Sequence, residues 1–276
     1  GDLLLLPDPG YPDYLSGVSL GRVTYETFPL TAENDFLPDL DAIPEETARR
    51  AKFIYINYPN NPTGAVATKA FYEKLVAWAK TYEVGVVSDL AYGALGYQGY
   101  ENPSFLSTPG AKDVGIEFYT FSKTFNMAGW RLAFAAGNEQ MIEALNLIQD
   151  HLFVGIFPAL QEAGIAALLD SKSEEAVAQL NATYDSRRDA FVQAAAKIGW
   201  QAFPSRGSFY AWMPVPEGYT SESFADLLLE KAHVAVAPGK GFGPAGDAYV
   251  RIGLLVEPER LVEAVDRIAK LYLFNN

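Results

Sequence analysis

Short apolar runs that alternate with helical patterns constrain the fold of this chain more than any other feature. Val84 to Ser88 and Ile116 to Phe121 are mostly apolar runs without polar alternation, and Thr68 to Tyr82 carries apolar residues at helical spacing. Strands of this kind are typical of a parallel sheet that helices cover on each side. The sequence therefore predicts an α/β fold with a mostly parallel sheet flanked by helices.

The remaining elements follow from the same patterns and from turn residues. In the first part of the chain we predict strands at Leu3 to Leu6, Phe53 to Asn57 and Leu132 to Ala136, and helices at Ile43 to Arg50 and from Glu139 to Leu169, with a break near Gly155 to Pro158. In the second part we predict helices from Ser171 to Ile198, Ser223 to Ala232 and Pro258 to Leu273, and strands at Trp200 to Phe203, Ser208 to Met213, Val234 to Ala237 and Tyr249 to Leu254. The change of character places a domain boundary near residue 170, between a large domain (1–170) and a smaller α+β domain (171–276).

Composition excludes several classes of protein. The net charge of −13 leaves no basic stripe for nucleic acid. The chain has no cysteine, and its 2 histidines lie far apart, so no metal site is predicted. No run approaches the roughly 20 apolar residues of a membrane span, and no signal peptide is visible, so the cytoplasm is the expected location. The chain opens at Gly1 almost directly into a strand, which indicates the interior of a longer protein.

Polar residues follow three of the predicted strands. Asn61, Asp89 and Lys123 each come just after the carboxyl end of a strand. Because ligands of open parallel sheets bind beyond these ends, we expect the three side chains to converge on one site.

The segment Tyr119-Thr-Phe-Ser-Lys-Thr-Phe-Asn-Met-Ala-Gly-Trp-Arg131 indicates what that site holds. Lys123 stands among hydroxyl side chains, with Arg131 further along. An enzyme needs this set to hold an aldehyde cofactor covalently and to bind its phosphate. Pyridoxal phosphate is such a cofactor, with Lys123 as its anchor and Thr120, Ser122 and Arg131 for its phosphate.

Other segments supply the remaining needs of that cofactor and of an amino-acid substrate. Asp89 can pair with the pyridine nitrogen, while Asn61 and Tyr92 can donate to the phenolic oxygen. Tyr11 is a candidate for the ring face, and Arg251 for the substrate carboxylate. Each also has a plainer explanation, such as turn chemistry around Asn61 or a helix cap at Asp89. Their appearance together in one chain favours the site.

Residues 241–246 spell Gly-Phe-Gly-Pro-Ala-Gly, which matches a dinucleotide-binding fingerprint letter for letter. This run contains a proline and leads into a predicted strand rather than a helix. We therefore predict no nicotinamide site there.

The motifs together resemble those of a known family. Pro9-Gly-Tyr-Pro12, Asn57-Tyr-Pro-Asn-Asn-Pro-Thr-Gly64, Ser88-Asp-Leu-Ala-Tyr92, Ser122 to Arg131 and Tyr249-Val-Arg251 look like the signature segments of class I/II aminotransferases, which are pyridoxal-phosphate enzymes of fold type I. Within that family the chain most resembles the LL-diaminopimelate aminotransferase-like branch. The resemblance implies transamination, a homodimer with active sites at the subunit interface, and roughly a hundred further residues before Gly1, an amount typical of a subdomain.

Three other functions remain open from the sequence. One is a different reaction on the same scaffold, β-elimination from a cysteine conjugate. Another is a regulatory module that binds the cofactor without turnover. The third is a folded but inactive piece, because the resemblance places part of the phosphate-binding region before Gly1.

Overall fold

The structure of the protein is a computed structural model, and residues 2–274 are described. They form a six-stranded sheet and a three-stranded sheet. The strands are β1 Leu3–Asp8, β2 Thr24–Pro29, β3 Ala51–Asn57, β4 Gly85–Asp89, β5 Gly115–Thr120, β6 Ala133–Gly137, β7 Tyr210–Pro214, β8 Ala237–Pro238 and β9 Tyr249–Gly253. The helices are α1 Asp13–Gly21, α2 Glu45–Arg50, α3 Lys69–Tyr82, α4 Ala111–Val114, α5 Phe121–Thr124, α6 Glu139–Leu152, α7 Pro158–Leu169, α8 Ser173–Lys197, α9 Ser221–Leu227 and α10 Pro258–Ala269. A π-helical turn, Leu228–Ala232, extends α9, and 3-10 turns lie at Ala32–Asn34, Leu40–Ala42, Phe105–Ser107, Ala128–Trp130, Gly239–Phe242 and Pro244–Ala248.

The large sheet confirms the predicted α/β fold. Its strand order is β2-β1-β3-β4-β5-β6, and every neighbouring pair is parallel except β5 and β6, which are antiparallel. The chain adds β2 on one side of β1 and β3 on the other, so the strand order reverses beside β1. In sheets of this kind the carboxyl ends next to such a reversal form the crevice where ligands bind.

Helix α3 shows how the sequence builds a layer against this sheet. Thr68 begins the helix by accepting a hydrogen bond from the Phe71 backbone nitrogen at 3.1 Å. Leu75 and Ala79 are fully buried against Ile54 and Val86 of the sheet. This apolar face places the main core of the protein between α3 and the sheet.

The opposite face of the sheet is only partly covered within residues 2–274. A cavity of about 780 Å³ lies between the sheet and α6. Its walls are mostly apolar, with Phe53, Tyr55, Val87, Ile116 and Phe118 from the strands and Met141, Leu145 and Ile148 from the helix. The sequence predicted cover on both faces, and on this face the packing is incomplete.

The three-stranded sheet has its own core. Trp200, Phe224, Leu261 and Val265 are almost completely buried in it, between the sheet and helices α8, α9 and α10. The domain boundary near residue 170 stays a prediction, and residues 1, 275 and 276 at the ends of the predicted domains lie outside the described residues. No helix among residues 2–274 combines the length and the apolar character needed to cross a bilayer.

One predicted strand is wrong, and another is shorter than predicted. Trp200 to Phe203 forms no strand, because Trp200 turns into the core and Pro204 removes a backbone donor just beyond Phe203. The predicted strand at Val234 to Ala237 is reduced to the two residues of β8, which pair with Arg251 and Val250 of β9. Helix α1 and strand β2 were not predicted, because the residues from Asp13 to Pro29 lack clear apolar periodicity.

A buried carboxylate joins the two strands that lead to the predicted site. Glu117 on β5 is 6% exposed and accepts hydrogen bonds from the hydroxyls of Ser88 on β4 and Ser104, and from the Phe105 backbone nitrogen. Burial raises the pKa of Glu117, and these hydrogen bonds oppose that rise. The carboxylate therefore stabilises the pairing of β4 with β5 one residue before β4 ends.

Replacing Glu117 with alanine leaves three donors in this buried region without their acceptor. We expect E117A to lower the free energy of unfolding by on the order of 2–4 kcal/mol, because each unsatisfied buried donor is costly. Urea denaturation followed by circular dichroism measures the change. The same substitution at Glu73, which is exposed on α3, is the control and should change stability by less than about 0.5 kcal/mol. Equal effects of the two substitutions would contradict the proposed role of Glu117.

Candidate active site

The carboxyl ends of the parallel strands surround one polar cavity of about 420 Å³. Asn57 and Asp89 are the last residues of β3 and β4 and lie opposite each other in the sheet, and Lys123 follows the end of β5. Every site residue predicted from the sequence lines this cavity, namely Tyr11, Asn61, Asp89, Tyr92, Thr120, Ser122, Lys123, Arg131 and Arg251, together with Asn57, Ala91 and Tyr210. The predicted convergence therefore holds in the structure.

Asparagine side chains shape the loop that carries Asn61. The Asn57 side-chain oxygen accepts a hydrogen bond from the Asn61 backbone nitrogen at 2.8 Å, and the Asn60 oxygen accepts one from the Thr63 nitrogen at 3.0 Å. Gly64 ends the loop with a φ of 72°, a left-handed conformation that glycine adopts without strain. Hydrogen bonds between asparagine side chains and the backbone thus shape this loop, and they also fix the position of Asn61 in the cavity wall.

Both carboxylate oxygens of Asp89 are held by donors. The Tyr14 hydroxyl donates to Oδ2 at 2.7 Å, and the Ala91 backbone nitrogen donates to Oδ1 at 3.1 Å. The Asn57 amide donates to the Asp89 backbone carbonyl at 2.8 Å. Burial raises the pKa of Asp89, and the hydrogen bonds from Tyr14 and Ala91 lower it. The result is a fixed carboxylate at the cavity wall.

Lys123 lies on the one-turn helix α5, which Thr120 caps by accepting a hydrogen bond from the Ser122 nitrogen at 3.2 Å. Its amino group lies 5.6 Å from the centre of the Phe209 ring. Burial lowers the pKa of Lys123, and the positive charges of Arg131 and Arg251 lower it further. A lysine with these neighbours has a larger neutral, nucleophilic fraction than an ordinary surface lysine.

Hydroxyl groups and an arginine occupy the neighbouring side of the cavity. The Thr120 hydroxyl donates to the Ser122 hydroxyl at 2.9 Å. Arg131 is exposed, and its guanidinium donates to the Ala128 carbonyl at 3.0 Å. Two hydroxyls and a cation within one cavity are the donors that a phosphate group prefers.

Arg251 reaches the cavity from β9, the central strand of the small sheet. Its guanidinium donates to the Asn61 side-chain oxygen at 2.7 Å. The guanidinium carbon also lies 4.2 Å from the Tyr210 ring centre and 4.6 Å from that of Phe242. An amide oxygen and two aromatic faces therefore hold this side chain, an arrangement that leaves a planar cation available to a carboxylate.

Two tyrosines complete the walls. The Tyr92 hydroxyl lies 3.3 Å from that of Tyr210, and burial raises the pKa of Tyr92 well above its ordinary value, so this hydroxyl remains a donor. Tyr11 is 39% exposed and donates to Asp13 at 2.6 Å. That hydrogen bond, followed by burial, raises the pKa of Tyr11 to about 12.

Sequence reasoning missed Asn57, Tyr14 and Tyr210. Asn57 could have been found, because it ends a predicted strand as Asp89 does. Tyr210 lies in an apolar strand, Phe209-Tyr-Ala-Trp212, that reads as core, and only the contact between the two sheets brings it to the cavity. Tyr14 lies on α1, an element that was not predicted.

The run at residues 241–246 has the structure predicted for it. It lies in the 3-10 turns between β8 and β9 and leads into a strand, whereas a dinucleotide site needs a helix there.

Comparison with known proteins identifies the family. The sequence matches aminotransferase class I and II over residues 1–268. It is 57% identical to the L-glutamine–4-(methylsulfanyl)-2-oxobutanoate aminotransferase of Bacillus subtilis, covering 99% of this chain and 68% of that protein. It is 49% identical to the LL-diaminopimelate aminotransferase of Moorella thermoacetica, covering 98% of this chain and 69% of that protein.

A solved structure gives the same result at the level of the fold. The substrate-bound BacF structure from Bacillus subtilis superimposes with a TM-score of 0.94 at 47% identity, over 99% of this chain and 70% of that one. The chain thus spans about seven-tenths of these relatives. It belongs to the class I and II aminotransferases, a family of fold type I enzymes that use pyridoxal 5'-phosphate.

Proposed function

We propose that the cavity at the strand ends is the site at which this chain carries out pyridoxal-phosphate-dependent transamination between an L-amino acid and a 2-oxo acid. The observation that carries the proposal is the set of groups in one cavity: an amine with a lowered pKa, a fixed carboxylate, a hydroxyl and arginine cluster, and a second arginine. Each group meets a different requirement of the cofactor or of an amino-acid substrate.

The chemistry of these donors fits the cofactor. Lys123 would hold it covalently, and Asp89 would pair with its ring nitrogen. Thr120, Ser122 and Arg131 would bind its phosphate. On the remaining sides, Asn61 and Tyr92 would donate to the phenolic oxygen, and Tyr11 would cover one face of the ring.

The bound cofactor supplies an aldehyde for amine exchange and a ring that accepts electrons from the substrate α-carbon. Lys123 would have two roles in the proposed double displacement. Its amino group would hold the cofactor covalently in the absence of substrate. With substrate bound, Nζ would accept the α-proton as a general base, a role that suits an amine whose pKa is lowered.

Arg251 would orient the substrate. Its guanidinium can bind the α-carboxylate through two parallel hydrogen bonds, and the faces of Tyr210 and Phe242 limit its rotation. Fixing the carboxylate would orient the α-carbon bond that must break, which supports catalysis by orientation.

We propose the substrates only as classes, an L-amino acid and a 2-oxo acid. The similar proteins are named for different donors, one for L-glutamine and another for LL-diaminopimelate. Membership of a family whose named relatives are aminotransferases favours amino-group transfer over β-elimination, which the sequence had left open.

We further propose that the chain acts as a homodimer in the cytoplasm. Support for the dimer comes from large apolar side chains that are exposed at the end of α6 and just beyond it, with Leu152 at 71%, Phe153 at 66% and Phe157 at 69%. Apolar surface of this kind marks an interaction site. A second copy of this chain is the partner that the family resemblance implies.

Cofactor attachment tests the proposed function directly. After addition of pyridoxal phosphate and reduction with borohydride, we expect the label on the peptide that contains Lys123, and its loss in K123A. The control K52A replaces an exposed lysine on β3 and should keep the label. Label spread over surface lysines would overturn the proposal.

The reaction class is tested with the same preparation. Mixed with an L-amino acid, the loaded protein should convert it to the corresponding 2-oxo acid and retain the amino group. Release of ammonia and pyruvate from an S-substituted cysteine, without amino transfer, would show β-elimination instead.

The titration of Lys123 provides a test that needs no cofactor. Because its pKa is lowered, we expect competitive labelling by acetic anhydride to show a midpoint below the ordinary lysine value of about 10.4. R131M removes a neighbouring positive charge and should move the midpoint upward. R206M, which lies outside the cavity, is the control and should leave it unchanged. A midpoint at or above the ordinary value would contradict the effect of burial and neighbouring charge on this amine.

Sedimentation equilibrium tests the dimer. We expect a mass of twice the chain, and a shift toward monomer in L152K, because a charge at an apolar interface is costly to bury. L20K places the same change on α1, where Leu20 is 87% exposed, and should leave the dimer intact. If the wild-type protein is a monomer at all concentrations tested, the proposed dimer is wrong.

A further inference from the structure

Tyr14 contacts a residue of the proposed site but has no part in the proposed mechanism. It lies on α1, and its hydroxyl donates to Asp89 Oδ2 at 2.7 Å. Asp89 lines both the site cavity and the larger apolar cavity between the sheet and α6, whereas Tyr14 lines the larger cavity and not the site cavity. Tyr14 thus contacts Asp89 from outside the site cavity.

The ring of Tyr14 is held independently of its hydroxyl. It packs edge-on against Tyr11 at 5.6 Å between ring centres, and in a tilted arrangement against Tyr55 at 5.4 Å. It also packs against Leu4, Leu6 and Val18. Removal of the hydroxyl alone therefore leaves the packing of α1 on the sheet in place.

The hydroxyl matters because Asp89 has few donors. Of its two carboxylate oxygens, one is held by the Ala91 backbone and the other by Tyr14. A buried carboxylate stays ionised and oriented only while donors compensate for its loss of water. Burial and the charge of Asp89 raise the pKa of Tyr14, so Tyr14 keeps its proton and donates throughout the neutral range.

We propose that Tyr14 is a positioning residue for the cofactor: its hydroxyl keeps Asp89 charged and aimed at the ring nitrogen, and it acts on the cofactor only through that carboxylate. This inference rests on the proposed function, because it concerns the ring nitrogen of pyridoxal phosphate. It adds that the strength of the Asp89 contact is set by a residue that does not line the site cavity.

The test compares two cofactor probes in matched variants. Y14F removes the hydroxyl and keeps the ring. Y55F makes the same change on the neighbouring ring of the same aromatic cluster. The probes are pyridoxal phosphate and its 1-deaza analogue, in which carbon replaces the ring nitrogen, and their affinities are measured by equilibrium dialysis.

We expect Y14F to lower the affinity for pyridoxal phosphate about tenfold, in line with the loss of a hydrogen bond to a charged group. It should lower the affinity for the deaza analogue less than twofold, because that probe has no ring nitrogen for Asp89 to bind. Y55F should leave both affinities unchanged. Equal weakening of both probes by Y14F would show a merely structural role and overturn the inference, and so would an unchanged affinity for pyridoxal phosphate.

A measurement without cofactor separates this inference from the proposed function. Carbon-13 labelling of aspartate lets the Asp89 carboxyl be titrated by NMR, and Y14F should raise its pKa by about one unit, which corresponds to about 1.4 kcal/mol. If the wild-type protein binds neither probe, the proposed function fails whatever this titration shows. If it binds pyridoxal phosphate and Y14F leaves the Asp89 titration unchanged, only the role of Tyr14 fails.

Discussion

The parallel alignment of β3, β4 and β5 is the constraint on which the site depends. It sets Asn57 opposite Asp89 and ends β5 where the chain turns into the helix of Lys123. The buried Glu117 on β5 stabilises the pairing of two of these strands close to the end of β4. A shift of one residue in this register would turn Asp89 to the other face of the sheet and separate it from the amine.

The charges of the site differ from those of the whole chain. The protein carries a net charge of −13, yet among residues 2–274 its polar cavity is lined by three cations, Lys123, Arg131 and Arg251, and by one carboxylate, Asp89. Local charge decides binding inside a partly desolvated cavity, because water screens these groups less than those on the surface. An anionic cofactor and an anionic substrate can therefore enter a strongly acidic protein.

Much of the large sheet and of the site could be predicted from the sequence, because both depend on local patterns. Apolar runs with a polar residue at the end specify a strand and also the position of its last side chain, as at Asp89. The contributions of Tyr14 and Tyr210 could not be predicted, because they depend on contacts between distant elements. The prediction of a strand at Trp200 to Phe203 is wrong for a related reason. The Trp200 indole nitrogen donates a hydrogen bond to the Pro214 carbonyl at 2.7 Å, and local sequence does not encode this contact.

The hydrogen bond between Arg251 and Asn61 joins the two sheets, since one residue comes from β9 and the other from the loop after β3. A ligand held by groups from both sheets binds only while the two are docked, so its binding free energy adds directly to the stability of that docking. Saturation with ligand should therefore suppress partial opening between the sheets as well as global unfolding. The contact between the two sheets forms the cavity, and a bound ligand would raise the free energy needed to separate them.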